Sequence, residues 1–463
     1  MNNPVDKSLG FFGLAALVFG MMVGAGIFNI PQNMAETSGP VGIILSWLLT
    51  AAGMLLLVFT FKILADRYPE YNAGMYLYAR HGFGSLAGFL TAWGYWLCTA
   101  FANVAYAVML NDTMGAFFPS LLRHSWEMLL FGSALIWIVF FIVKAGMKTA
   151  ATLNNAMGVL KVISIVLIII LLAVNMHYDM FTAAFAADCS SVTPGGLWTQ
   201  IKDSMLVTLW CFIGIEGAVM MSGRARRSHD IGKAGITGFF SAWILYLLVS
   251  ILCFGVMNRA RLAGLDSPSV AYVLGEACGS WAHWLIVISV LVSLSGGWIA
   301  WSLVTAEVPY MASVKGLFPR KFMKLNRYGI PIKGLLVSSV IMNLFLIIVA
   351  FSQKAYTTAL SVTGMMILPA YLLTGLFLWK ISRGCHRPGV IIGAACTLFC
   401  LWMIYAGGLL LFMETSLFYL AGLSMYFIVR REQKIIGWRR SEILTIILII
   451  AASIASAILL ATS

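Results

Sequence analysis

A chain of 463 residues that is 61% hydrophobic and only 10% charged is not built like a water-soluble globule, because soluble domains carry roughly a quarter charged residues. Its 30 Lys and Arg against 17 Asp and Glu give a formal charge of +13. The basic residues lie in short gaps between long apolar runs, which marks membrane topology and contact with anionic lipid and argues against nucleic acid. The composition predicts an all-α polytopic membrane protein and excludes a soluble multidomain enzyme.

A bilayer core of roughly 30 Å takes about 20 helical residues, and thirteen runs of that size occur in the sequence. They cover residues 11–30, 41–63, 86–110, 128–144, 156–176, 202–222, 233–257, 282–312, 333–352, 356–380, 389–412, 415–430 and 441–461. The expected organisation is a cytoplasmic N-terminus over 1–10, five spans in 11–176, five more in 202–380 and three in 389–463. No small-residue cleavage site precedes the first run, so it is expected to stay. With the N-terminus inside, most of the 30 Lys and Arg fall in cytoplasmic segments, as the positive-inside rule requires. An odd number of spans then places the C-terminus outside.

The eight Cys lack the C-x-x-C or Cys/His spacing of a metal site, and neither metal nor cofactor is expected. Cys189 and Cys278 fall in outer loops. They are read as free thiols, with an external disulfide as the lesser alternative.

Two runs carry glycine clusters at their middle. In the first, Gly24 and Gly26 flank Ala25; in the sixth, Gly214 and Gly217 flank Glu216. Glycine permits unwinding, and unwound backbone inside a membrane survives only where protein buries it or it lines a cavity. Paired interruptions five helices apart point to an inverted-repeat transporter with its site near the midplane. The freed N–H groups of a broken helix attract a carboxylate and the freed C=O groups an ammonium. Small-residue packing notches are the competing explanation.

Glu216 is the acidic residue nearest the centre of a span, where a carboxylate costs roughly 3 kcal/mol, so a functional role is expected of it. Glu307, near the cytoplasmic end of its span and beside Pro309, reads as a structural partner of the following basic loop. Lys161 lies about six residues into the fifth run. It either snorkels to the cytoplasmic headgroups or places an internal ammonium against the carbonyls of the broken first helix, in place of a coupling cation.

The Gly24-Ala-Gly-Ile-Phe string resembles transporters of the amino acid-polyamine-organocation superfamily, as does the Pro69 to Gly94 stretch with its Gly74, Tyr76, Tyr78, Gly84, Gly88 and Phe89 spacing. The strings Leu209 to Ala218 and Ser295 to Glu307 are similar to its basic amino acid/polyamine antiporter branch, particularly to arginine/ornithine antiporter-like members. The resemblance implies a LeuT-like fold, a 5+5 inverted repeat with helices 1 and 6 broken. It also implies that Gly24, Ala25 and Gly26 with Trp210, Cys211 and Ile213 surround the backbone end and aliphatic stem of an amino acid. Trp210 and Trp298 become aromatic walls, Asn103 and Thr363 polar pocket positions, and Tyr95 and Tyr371 gate residues that bond Glu216. Tyr106 is a wall residue or core packing. Family members often have Ser where this chain has Ala25, so a hydroxyl contact to the carboxylate is missing here.

The expected activity is exchange of a cationic amino acid, arginine for ornithine foremost, across a bacterial inner membrane. Exchange of an amino acid for its decarboxylated amine, such as histidine for histamine, and one-way proton-coupled uptake are the alternatives. A channel lacks its continuous polar stripe, and an enzyme its nucleophile and base. The expected partners are small amino acids or amines and membrane lipid, with a homodimer left open.

Overall fold

The structure is a computed structural model, and it describes residues 10–68, 74–122, 126–191, 193–217, 226–352 and 354–462. Every regular element among them is helical. The first run is interrupted: α1 (Phe11–Met22) ends at Val23, a short 3₁₀ turn covers Ala25–Phe28, and α2 (Ile30–Thr37) follows. Pro31 in the first turn of α2 costs nothing, since a helix leaves its first N–H groups unpaired. The chain then forms α3 (Pro40–Arg67), α4 (Met75–Phe83), α5 (Ser85–Met114), α6 (Trp126–Lys144), α7 (Met147–Asn175) and α8 (Tyr178–Ser191).

The sixth run begins as α9 (Pro194–Phe212), capped by Thr193 Oγ1, which accepts from Gly196 N at 3.1 Å. It stops at Ile213, whose backbone is extended. Residues 218–225, which include the expected end of this run at 222, lie outside the described residues, as do residues 69–73 of the resemblance stretch. There follow α10 (Ser228–Leu252), α11 (Arg259–Ala263), α12 (Ser269–Cys278), α13 (Ser280–Val314), α14 (Ile332–Ala350), α15 (Ala355–Ser382), α16 (Arg387–Ala406), α17 (Leu409–Glu432) and α18 (Arg440–Thr462).

Ten of the described helical stretches are long and apolar enough to cross a membrane. Helices outrun the apolar runs that announced them wherever polar residues continue the helical pattern. Thus α7 begins at Met147, more than two turns before its apolar run, and α13 spans 35 residues with Pro309 inside it. The connecting helices α4, α8 and α12 were not legible as elements. All eight cysteines are free, Cys189 and Cys278 included.

Polar side chains sort the helices into two groups. Helix α9 is tied to α3 by Ser46 Oγ to Ser204 Oγ and Thr50 Oγ1 to Thr208 Oγ1, both 2.7 Å. Trp47 Nε1 on α3 donates to Ser250 Oγ on α10 at 3.0 Å, and the Tyr246 hydroxyl on α10 donates to Met22 O at the end of α1 at 2.9 Å. Elsewhere, Asn103 on α5 donates to Thr305 Oγ1 on α13 at 2.9 Å, and Trp96 Nε1 donates to Ser338 Oγ on α14 at 2.8 Å. With lipid as solvent, helices are held by packing and by such bonds rather than by a hydrophobic difference between neighbours. Helices α1, α3, α9 and α10 therefore form one polar-bonded set, and α5, α13 and α14 another.

Helix α18 is the least buried of the apolar spans. It docks on α17 through a buried pair, Arg430 Nη1 to Glu442 Oε2 at 3.3 Å, with the Tyr426 hydroxyl donating to Glu442 Oε1 at 2.9 Å.

Candidate substrate-binding site

The two interruptions face each other. A Cβ placed on Gly214 would lie 2.8 Å from the Met21 carbonyl carbon and 3.0 Å from Met21 O. Gly214 also sits at φ +114°, a conformation that a side chain disfavours. The position thus requires glycine twice, for its own backbone and for the neighbouring helix end. The chain leaves α9 through i→i+3 bonds, Ile213 N to Trp210 O, Ile215 N to Phe212 O and Gly217 N to Gly214 O, a tightening common where an α-helix ends.

The broken end of α1 exposes carbonyls that need donors, since buried backbone groups are costly unpaired. Lys161 Nζ donates to Val23 O at 2.6 Å and to Gly20 O at 3.0 Å, and Tyr246 supplies Met22 O. Lys161 is 6% exposed, and its ammonium is bonded to backbone inside the bundle, with the early start of α7 placing it well within that helix. On the other side of the gap the N-cap of the 3₁₀ turn that starts at Ala25 is Gly24, which has no side chain with which to cap it. The amides of a helix's first turn have no partner within the helix, so this end is suited to an anionic group.

Aromatic rings lie directly on the first break. A Cβ on Gly26 would meet the Trp210 ring at 2.4 Å and Cys211 Sγ at 3.3 Å, and one on Gly24 would meet the Tyr106 hydroxyl at 2.3 Å. Tyr106 also packs against Gly297 of α13. Trp210 in turn meets Tyr356 of α15 edge-on at 5.8 Å. Gly24, Ala25, Gly26, Trp210, Cys211 and Ile213 are accordingly brought together at one place.

Glu216 is fully buried in the turn after α9. Its Oε2 accepts from the Tyr371 hydroxyl at 2.9 Å and from Gly214 N at 3.1 Å. Its Oε1 and the Tyr95 hydroxyl are buried without hydrogen-bond partners among the described residues. The structure thus joins Glu216 to α15 through Tyr371.

The remaining expected positions are differently employed. Both amide donors of Asn103 are bonded to protein, Thr99 O at 2.8 Å and Thr305 Oγ1 at 2.9 Å, while Ser302 Oγ donates to its Oδ1 at 3.4 Å. The Thr363 hydroxyl donates to Ala359 O of its own helix at 2.7 Å. Trp298 is buried, and its Nε1 has no partner among the described residues.

The sequence profile of the amino acid permease family matches residues 9–429. The chain belongs to that family. This permease is 39% identical over 442 residues to an arginine/agmatine antiporter of Chlamydia caviae, covering 92% of this chain and 91% of the relative. It is 37% identical over 434 residues to an Escherichia coli protein that carries the provisional name arginine/ornithine antiporter, covering 92% and 93%. Among solved structures it resembles a Na⁺-coupled sialic acid symporter in a substrate-bound outward-open state, with TM-score 0.54, 13% identity and coverage of 88% of this chain and 91% of that one. That likeness is one of fold. The permease is a transporter and not an enzyme, and α18 lies beyond the matched region.

Tyr246 and Tyr356 are the site residues that sequence reasoning passed over. Tyr246 lies inside an apolar helix, and a tyrosine in the middle of a span, as in Ile244-Leu-Tyr-Leu-Leu, is the signal that was available, whereas Tyr356 stands in the first turn of α15 and carries no such signal.

Proposed function

We propose that the permease is an antiporter that exchanges a cationic amino acid, arginine, for a related cationic product by alternating access. The observation that carries this reading is the pair of facing interruptions, with the glycine-capped amide end of the Ala25–Phe28 turn on one side and a lysine ammonium filling the carbonyl end on the other. The substrate carboxylate would meet the amides of Ala25, Gly26 and Ile27, with backbone doing the work of the missing hydroxyl at position 25. The ammonium would meet the carbonyl end of α9 around Trp210, Cys211 and Ile213. The cationic side chain would lie against Trp210 and Trp298, an attraction worth about 0.5–2 kcal/mol, with Asn103 and Thr363 nearby.

Lys161 would stand where a sodium-coupled carrier of this fold places a cation, so exchange would need no sodium. Glu216, Tyr371 and Tyr95 would close the inner side. The two polar-bonded helix sets would rock against each other, joined across the site by Lys161 on α1 and Tyr371 on Glu216. In this reading there are thirteen crossings, namely the ten apolar helices, α5 and the two interrupted spans, arranged as a LeuT-like 5+5 repeat over 11–176 and 202–380 with an appended 389–463. The N-terminus would be cytoplasmic and the C-terminus outside, in a bacterial inner membrane.

Arginine is common to the names of both relatives, while the product differs. Exchange for ornithine moves no net charge. Exchange for agmatine, the reading that the Chlamydia relative favours, moves one charge per cycle, worth about 2.3 kcal/mol per 100 mV. Counterflow in proteoliposomes tests both. Internal arginine, ornithine or agmatine should accelerate uptake of labelled arginine without sodium, and an imposed potential should change the rate only with agmatine. Uptake indifferent to internal substrate contradicts exchange.

A further inference from the structure

The donors and acceptors around Asn103 are unevenly spent. Its two Nδ2 hydrogens go to Thr99 O on its own helix, at 2.8 Å, and to Thr305 Oγ1 on α13, at 2.9 Å. Thr305 gives its one hydroxyl hydrogen to Trp301 O at 2.8 Å, so towards Asn103 it accepts. Thr99 O is a carbonyl and can only accept. A flipped amide would set Asn103 Oδ1 against that carbonyl, so the bonds around it fix which way the amide points. Asn103, Thr99 and Thr305 are fully buried, where a donor left unpaired is costly.

The amide oxygen is far less occupied. Among the described residues Oδ1 receives Ser302 Oγ at 3.4 Å, beyond the usual hydrogen-bond distance between oxygens, although such an oxygen has two lone pairs. Thr363 repeats the pattern on α15, since its hydroxyl hydrogen goes to Ala359 O at 2.7 Å and lone pairs remain. Both polar pocket positions therefore offer oxygen and withhold hydrogen. Tyr106, one turn beyond Asn103 on α5, meets Gly24 of the first break and Gly297 of α13. Ser302 stands one turn beyond Trp298 on α13. Asn103 thus lies in the α5–α13 seam that leads inward from the break, next to the turn that carries Trp298. Thr305 is itself held from behind, as Ser338 Oγ on α14 donates to Thr305 O at 3.5 Å and Trp96 Nε1 donates to Ser338 Oγ at 2.8 Å.

We propose that Thr305 is a positioning residue for substrate selection: by accepting from Asn103 Nδ2 it holds the amide with its oxygen free, so that the site takes a side chain ending in N–H donors and disfavours one of the same length ending in an acceptor. Thr305 acts through Asn103 and does not touch substrate. The inference deepens the exchange reading and rests on it. Selection of this kind is strong where buried groups would be left unpaired by the wrong ligand, and it needs no carboxylate in the pocket. A neutral acceptor also holds a cation less tightly than a charged one, so the exchanged product can leave.

Citrulline is the probe, because it keeps the length of arginine and replaces one guanidinium nitrogen with oxygen. Inhibition of labelled-arginine counterflow by unlabelled arginine and by citrulline, in proteoliposomes, tests the assignment. Thr305→Val keeps the shape of the side chain and frees one amide hydrogen of Asn103, so the amide can turn and offer it to the citrulline oxygen. The half-saturation concentration for arginine should rise roughly three- to tenfold, the range of one hydrogen bond, while inhibition by citrulline stays as it was or strengthens. Thr305→Ser, which retains the hydroxyl, should restore the preference of the unaltered protein. If Thr305→Val fails to reach the membrane, Thr305→Ala carries the same test. A bond that merely joined α5 to α13 would weaken both ligands alike when removed. Normal arginine exchange by the unaltered protein with an equal loss for the two ligands in the variant, or with no loss for arginine, overturns the role of Thr305 alone. Absence of arginine exchange in the unaltered protein overturns the parent reading and this assignment with it.

Discussion

The Lys161 ammonium lies 2.6 Å from the Val23 carbonyl oxygen and 3.0 Å from that of Gly20, so a side chain of α7 terminates a helix that its own backbone cannot. An interior cation is expensive in a bilayer unless it is bonded, and helix-end carbonyls need donors. Each group resolves the other's cost. The arrangement ties α7 to the break in the first span, and any motion that opens the break must move or release this bond.

Lys161→Ala therefore removes the donor from two buried carbonyls, a loss of about 1–3 kcal/mol. Exchange should fall at least tenfold with the protein still present in the membrane. Counterflow with and without sodium checks this, and an unchanged sodium-free rate would show that the ammonium has no part in the cycle.

Glu216→Gln keeps the shape of the side chain and an acceptor for Tyr371 but removes the group that can carry charge. Exchange by the variant should lose the pH dependence of the parent between about pH 5 and 8. Tyr371→Phe should instead leave a pH dependence while slowing the cycle. Initial rates across pH for both variants separate the two, and identical profiles for the parent and Glu216→Gln would remove Glu216 from proton handling.

Gly214→Ala combines a left-handed backbone, φ +114°, with a Cβ 2.8 Å from the Met21 carbonyl carbon. It should cost about 1–3 kcal/mol and lower the thermal midpoint in detergent together with exchange. A midpoint and rate equal to those of the parent would mean that the two breaks do not abut.

Gly24→Ala directs a methyl at the Tyr106 hydroxyl, 2.3 Å away. Removing that hydroxyl opens the space, so Tyr106→Phe should restore part of the activity that Gly24→Ala loses. The coupling energy from a double-mutant cycle is expected to be about 0.5–3 kcal/mol, and additive effects would place Tyr106 elsewhere.

Glu442→Ala leaves Arg430 buried without its carboxylate, which for a buried pair costs about 3–5 kcal/mol. Because α18 lies beyond the family match and docks through this pair, the variant should lose thermal stability more than it loses affinity for substrate. Thermal denaturation and the half-saturation concentration, measured on one preparation, check the two separately.

Both breaks were legible because glycine in the middle of an apolar run is costly unless the helix stops there, and Glu216 was legible because a carboxylate at that depth is rare. The partner of Lys161 remained open between headgroup and carbonyl, since the apolar run hides where α7 begins and therefore how deep the lysine lies. Tyr246 went unread because a tyrosine in a span is equally at home as packing, and Tyr356 because it stands at a helix start, so only the fold shows which hydroxyl reaches Met22 O or finds no partner among the described residues. For Asn103, sequence could not distinguish an amide available to substrate from one committed to Thr305 and Thr99. The short helices α4, α8 and α12 lie outside the apolar runs, so the count that found the spans had no means of finding them.

A structure determined with arginine bound tests the central claim most directly. The account predicts its carboxylate against the amides of Ala25, Gly26 and Ile27, its ammonium at the end of α9, and its guanidinium between Trp210 and Trp298. Arginine bound elsewhere, with the first and sixth spans closed against each other without it, would contradict the account.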